Sequence, residues 1–298
     1  MHSIQTIGVI GAGTMGNGIA QVAAGSGFEV RLVDSSTQAL EQGLGRIDNG
    51  LARLESKEKI SADEKEKIRS RILGSTDMSA VADVDLVVEA IVEKLDVKSA
   101  LFTELDRICA ADTILASNTS SISITRLAAM TGRAGRVIGM HFMNPVPVMK
   151  LVEIIRGLAT DQGTYDKVEQ VAKTMGKTPV EVHDAPGFVA NRVLMPMINE
   201  AIFCLHEGVG DARAIDEVMR LGMNHPMGPL ALADLIGLDV CLDILRVLHH
   251  GFADSKYRPC PLLIKMVDAG YLGRKSGRGF YTYGDDESLA FHPSKGYL

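Results

Sequence analysis

The sequence has no apolar run of the ~18 residues that a membrane-spanning helix needs. It has no CxxC pair. Its four cysteines, Cys109, Cys204, Cys241 and Cys260, lie far apart, which argues against a zinc site or a disulfide framework. They read as buried, inert thiols. There is no basic excess: the net charge is -6 and the pI about 5.8, which speaks against a general nucleic-acid binder. A local basic site for a small phosphorylated ligand stays open. The opening MHSIQTIGVIGAG lacks the charged start, apolar stretch and cleavage site of a secretory signal and is not an Arg-rich transit peptide, so a cytoplasmic protein is expected. Internal repeats and low-complexity segments are absent too. What is present is an ordinary globular composition, 46% hydrophobic and 23% charged over 298 residues. That length suits one large domain or two smaller ones.

The first half alternates strand and helix signals. Strands are predicted over Thr6–Ile10, Phe28–Val33, Asp85–Glu89, Thr113–Ala116, Arg136–Phe142 and Leu151–Ile155, with Val180–Val182 as an edge strand. Residues 14–26 form a helix with Met15, Ile19, Val22 and Ala23 on one side. This alternation implies an α/β fold, a mostly parallel sheet covered on both faces. One insertion interrupts it. From Arg53 to Arg71, seven Lys/Arg stand against five Asp/Glu, and Ser61 with Glu64 fits a capping box. This is a solvated helical pair or a helical arm, at about residues 45–73, whose cations meet ligand phosphates. After Asp184 the pattern becomes all-helical, over residues 188–207, 211–221, 229–250 and 261–270, with Pro196 expected to kink the first of these or expose a carbonyl. The expected domains are therefore 1–184 and 185–298. The second is more apolar than one helix layer needs, as if it buried surface against another copy of itself.

Gly11-Ala12-Gly13-Thr14-Met15-Gly16 is a GxGxxG between a strand and a helix, which is the context a dinucleotide fingerprint requires. Gly11 permits the tight turn, Gly13 lets a pyrophosphate approach the helix N-terminus, and Gly16 allows close packing of helix and strand. Asp34 ends the second strand 18 residues beyond Gly16. Its carboxylate accepts from both ribose hydroxyls and repels a 2′-phosphate, so NAD is expected rather than NADP. Ser35 and Ser36 follow, not an arginine. FAD is the weaker alternative with the same fingerprint.

A Rossmann domain does not name a reaction. Alcohol oxidation needs a base, and histidine titrates near working pH. Of eight histidines, His2 and His292 are near the termini, His206, His249 and His250 fall on helices, and His183 and His225 lie in loops beside prolines. His141 differs. It stands near the carboxyl end of the strand VIGMHF, where open parallel sheets bind ligands. Glu153 falls inside the apolar run LVEII and needs a partner, because burying an unpaired charge is costly. A cation, an imidazole or backbone donors would satisfy it. With His141 as that partner, Glu153 would orient the ring and stabilise its imidazolium.

GVIGAGTMGNGIA, VVEAIVEKLDVK, ASNTSSISI, GMHFMNPVPVMKLVEII, DAPGFVANR, NHPMGPLALAD and GRKSGRGFY occur in order. Together they closely resemble the L-3-hydroxyacyl-CoA dehydrogenase family, with the stand-alone bacterial 3-hydroxybutyryl-CoA dehydrogenases as the nearest branch. The resemblance runs from residue 5 to about 283, without departure at the main functional positions. It implies a Rossmann domain with a helical arm, followed by a helical dimerisation domain. It implies NAD as cofactor, an acyl-CoA substrate and a homodimer. It also implies His141 as base, Glu153 as its electrostatic partner, and Ser120 and Asn191 as residues that position the substrate. Glu93, Lys98, Asn118 and Asn144 fall where the family lines the nicotinamide and ribose end, and Ser120 also borders the cofactor. Lys275 falls where the second domain reaches the cofactor. The family's arm contacts coenzyme A, which favours Arg53, Lys57 and nearby cations as phosphate partners. Other hydroxy-acid dehydrogenases, several with a lysine base, a 3-hydroxyadipyl-CoA substrate, and a noncatalytic crystallin-like role are the alternatives.

Overall fold

The computed structural model describes residues 3–283, so His2 and His292 lie outside it. The chain divides into two compact units, Met1–Ala185 and Pro186–Leu298.

Apolar runs build the sheet of the first unit. Its strands are β1 (Thr6–Ile10), β2 (Glu29–Val33), β3 (Ile72–Ser75), β4 (Leu86–Glu89), β5 (Ile114–Ser117), β6 (Val137–Phe142), β7 (Leu151–Arg156) and β8 (Thr178–His183). They lie in the order β3-β2-β1-β4-β5-β6-β7-β8. Every residue of β4, β5 and β6 is buried, as expected of central strands covered on both faces. All pairings are parallel except β6–β7, which is antiparallel. The edge strand β3 was not anticipated, because ILGS is short and carries a glycine. β8 is longer than Val180–Val182, and His183 ends it rather than lying in a loop.

Helices α1 (Thr14–Gly25), α4 (Leu95–Ile108), α5 (Ile124–Ala128) and α6 (Gln162–Thr174) accompany the strands. The arm comprises α2 (Thr37–Ser56) and α3 (Ala62–Ser70). α2 starts at residue 37, earlier than the expected 45, because Ser36 caps it by accepting from the Ala39 N–H. Its buried residues stop at Leu51, and α3 buries none. The Ser61–Glu64 capping box opens α3. Two ion pairs, Lys65–Glu55 at 2.7 Å and Arg69–Asp48 at 2.8 Å, tie α3 back to α2. Being partly exposed, each is worth only ~0–1 kcal/mol.

The second unit packs α7 (Ala190–His206), α8 (Ala212–Glu217), α9 (Pro229–Ile236), α10 (Leu238–Phe252) and α11 (Pro261–Asp268) around a core that includes Ile198, Ile202, Leu230, Leu242 and Leu263. Pro196 lies inside α7. The helix expected over 229–250 is two helices, broken at Gly237, whose φ of +106° few side chains tolerate. The helix expected over 211–221 ends at Glu217 and continues as one wider turn, Val218–Gly222. Residues 271–283 hold one short 3-10 turn, Arg274–Ser276, and form bridges Gly273–Arg278 and Arg278–Thr282. Buried acids hold this segment. Asp234 accepts from the Phe280 and Tyr281 N–H groups at 3.0 and 2.9 Å and from the Tyr283 hydroxyl at 2.9 Å.

Among the described residues no helix is long and apolar enough to cross a membrane, and no group of three His, Cys, Asp or Glu could hold a metal ion. The cysteines are unpaired, and burial pushes the Cys109 thiol up to about 11 and the Cys241 thiol to about 12.

Candidate functional site

The β1–α1 turn has the geometry its glycines predict. Gly11 has φ +99°, its N–H donates to Val33 O at 2.7 Å, and a Cβ there would lie 2.7 Å from Ala90 O. A Cβ on Gly16 would fall 1.7 Å from Gly11 O, so α1 lies hard against the turn. Gly13 differs: a Cβ there meets nothing within 4 Å. Gly13 and Thr14 are exposed, Met15 is half-buried, and no side chain caps α1. The first helical N–H groups and the positive end of the helix dipole thus face open space, which suits a pyrophosphate.

Asp34 follows β2. One carboxylate oxygen accepts from Ala12 N–H at 2.8 Å and the other from Ser36 N–H at 3.0 Å. The acid is clamped to the glycine turn and keeps lone pairs for a ribose diol. These residues fit an NAD adenosine and oppose an added 2′-phosphate.

At the other half of the sheet, β6 and β7 place His141 directly opposite Glu153. His141 Nδ1 is 2.8 Å from Glu153 Oε2. The two residues are 8% and 2% exposed, so the carboxylate that the sequence left in search of a partner finds an imidazole in the dry sheet. A Nδ1–H donated to Glu153 leaves Nε2 with its lone pair, the form a base requires. Beside them, Asn118 Oδ1 accepts from Phe142 N–H at 2.8 Å, which fastens the end of β5 to the residue after His141. Asn144 is exposed in the loop after β6, before a cis bond to Pro145.

Glu93 is 36% exposed at its side chain. Its Oε1 accepts from the Ser120 and Ser121 N–H groups at 3.0 and 3.1 Å and from the Ser121 hydroxyl at 3.0 Å. Burial would raise this carboxyl, but the Lys98 ammonium and the Thr119 and Ser121 hydroxyls outweigh it and hold Glu93 below the usual carboxylate range. Lys98, expected at the nicotinamide and ribose end, is only 1% exposed. Its ammonium bonds Glu89 and lies 3.3 Å from Glu93 Oε2.

On the arm, Arg53 and Lys57 are exposed, while Lys65 and Arg69 are paired with Glu55 and Asp48. In the second unit, Asn191 stands in the first turn of α7, its N–H donating to Gly187 O at 3.1 Å. Lys275 is 2.6 Å from the Asp239 carboxylate near the start of α10.

Residues 6–185 match the 3-hydroxyacyl-CoA dehydrogenase NAD binding domain, and residues 187–283 match the C-terminal domain of 3-hydroxyacyl-CoA dehydrogenase. The chain belongs to the 3-hydroxyacyl-CoA dehydrogenase family. It is an NAD-dependent oxidoreductase of that family. A probable 3-hydroxybutyryl-CoA dehydrogenase of Bacillus subtilis is 60% identical over 285 residues, 96% of this chain and 99% of that protein. The crystal structure of (S)-3-hydroxybutyryl-CoA dehydrogenase from Ralstonia eutropha superposes with a TM-score of 0.93 at 53% identity, covering 95% of this chain and 100% of that one. A 3-hydroxyadipyl-CoA dehydrogenase of Escherichia coli is 43% identical over 284 residues, 95% of this chain but 60% of the longer relative.

Sequence reasoning missed two buried charged residues, Glu89 and Lys177. Glu89 is fully buried at the end of β4. The signal was present: a carboxylate in the apolar run LVVEA is the pattern that singled out Glu153 in LVEII. The nine-tenths buried Lys177 ammonium donates to Val146 O and Met149 O and ties down the loop after β6, and burial lowers its pKa.

Proposed function

We propose that this dehydrogenase interconverts (S)-3-hydroxybutyryl-CoA and acetoacetyl-CoA with NAD, His141 acting as the base. The observation that carries the chemistry is the buried His141–Glu153 pair at the carboxyl end of β6. The substrate follows from the full-length relatives named for it. Bound NAD would supply the hydride acceptor for the carbinol carbon. His141 Nε2 takes the hydroxyl proton. Glu153 holds the ring by Nδ1 and stabilises the imidazolium that results. Ser120 and Asn191 position the substrate. Gly11, Gly13, Thr14, Met15, Gly16 and Asp34 take the pyrophosphate and adenosine end, while Glu93, Asn118, Asn144 and Lys275 attend the nicotinamide end.

The deciding experiment is initial-rate reduction of acetoacetyl-CoA with NADH or NADPH. Robust turnover that prefers NADH is expected. Folded enzyme that binds NADH without reducing acetoacetyl-CoA would reject the substrate. Testing 3-hydroxyadipyl-CoA, the substrate class named for the Escherichia coli relative, would follow.

Two further assignments rest on the same reading. Arg53 and Lys57 meet the phosphates of coenzyme A, supported by their exposure at the end of the arm. The working form is a homodimer formed through the second unit, supported by exposed Val193, Leu221 and Met223, which are 68%, 79% and 61% accessible. Light scattering that gave a monomer at micromolar concentration would reject the dimer.

A further inference from the structure

Two routes of hydrogen bonds leave the buried Glu89 carboxylate and end in the same loop. Oε2 accepts from the Ser117 hydroxyl at 2.7 Å, and that hydroxyl accepts from Thr119 N–H at 3.1 Å. Oε1 accepts from the Lys98 ammonium and from Ile91 N–H at 2.7 Å. The same ammonium lies 3.3 Å from Glu93, whose carboxylate gathers the Ser120 and Ser121 N–H groups. Glu89 is fully buried and Lys98 nearly so, which is far more burial than charged side chains accept without a partner. Every contact Glu89 makes here is with a donor, the pattern a carboxylate takes. Two carboxylates then share one ammonium, and the cluster carries one net negative charge.

That charge lies beneath the carboxyl ends of β4 and β5. Asp34, at the end of β2, marks the adenosine half, so the nicotinamide half belongs over β4 to β6. Oxidised nicotinamide is a cation and reduced nicotinamide is neutral. A fixed negative charge at this end therefore favours the oxidised cofactor, and it does so most where water is partly excluded.

We propose that Glu89 is a positioning residue that fixes the 118–121 loop through Ser117 and through Lys98–Glu93, and that the net charge of this cluster shifts the ratio of NAD to NADH affinity toward NAD. The proposal rests on the dehydrogenase reading of the site.

The test is Glu89→Gln, which keeps the shape and removes the charge, read by direct titration of NAD and NADH binding without substrate. For loss of one unit charge in a partly solvated site, the ratio of Kd for NAD to Kd for NADH is expected to rise about three- to tenfold. A purely structural residue would lower Tm or weaken both cofactors alike and leave that ratio in place. An unchanged ratio in a folded variant overturns the proposal. If circular dichroism shows that Glu89→Gln does not fold, Glu93→Gln removes one charge from the same cluster at a half-exposed position, and the same ratio decides. Wild-type enzyme that bound neither NAD nor NADH would overturn the reading of the site and the proposal together. Normal wild-type binding with an unmoved ratio overturns the proposal alone.

Discussion

Glu153 stands opposite His141 because β7 runs antiparallel to β6 in a sheet whose other pairings are parallel. The reversal brings the beginning of β7 to the end of β6, so a carboxylate twelve residues further on reaches the imidazole at 2.8 Å. His141→Gln should lower turnover by about 10²–10⁴-fold, the usual worth of a general base, while NAD titration stays near wild type. Normal turnover in that variant would remove the assignment. Glu153→Gln should slow turnover and change its pH dependence, because a neutral amide no longer stabilises the imidazolium. Identical pH profiles would leave Glu153 without its role.

Asp34 holds the glycine turn through Ala12 N–H and lies where it opposes an added phosphate. Asp34→Ala should raise the KM for NADH and narrow the gap in kcat/KM between NADH and NADPH. An unaltered preference would place cofactor selection elsewhere.

Gly13 and Gly16 separate binding from folding. A methyl on Gly16 meets Gly11 O at 1.7 Å, so Gly16→Ala should destabilise the turn, with overpacking typically costing about 1–3 kcal/mol. A methyl on Gly13 meets no protein atom within 4 Å. Gly13→Ala should therefore keep the wild-type Tm and still weaken NAD binding. Thermal melts alongside cofactor titration check both, and a large loss of Tm in Gly13→Ala would contradict the open turn.

Asp234 is the acceptor for three donors of the 280–283 segment. Burial raises its carboxyl above the usual range in spite of the Phe280, Tyr281 and Tyr283 donors. Ionisation therefore opposes folding, and the stability this group contributes is lost as pH rises from the ordinary carboxylate value through the raised one. Asp234→Ala should lower Tm, since each buried donor left without an acceptor costs about 1–3 kcal/mol. Its deficit against wild type should be larger at mildly acidic pH than at neutral pH. A deficit that grew with rising pH would contradict the sign.

Most of the sheet was legible because its strands are short apolar runs between turn signals. β3 was not, since ILGS earns its place only by pairing with β2, which no local pattern announces. The helix drawn over 229–250 failed for the opposite reason. Its apolar period is continuous, and only the +106° φ at Gly237 breaks it. Lys98 was placed at the cofactor end by resemblance, but nothing in its local sequence shows that it is buried. Its burial depends on Glu89, 9 residues away and on another element.

The sequence alone determined the glycine turn, the acid after β2, the family and the candidate pair His141 and Glu153, because each is a local chemical requirement written into neighbouring residues. Tertiary structure decided which strand reverses, and hence that Glu153 faces the imidazole. It also decided which charges lie in the dry interior. Lys98 joins Glu89 and Glu93 beneath the 118–121 loop only once β4, β5 and α4 have packed, and the low dielectric created by that packing gives one net charge its leverage.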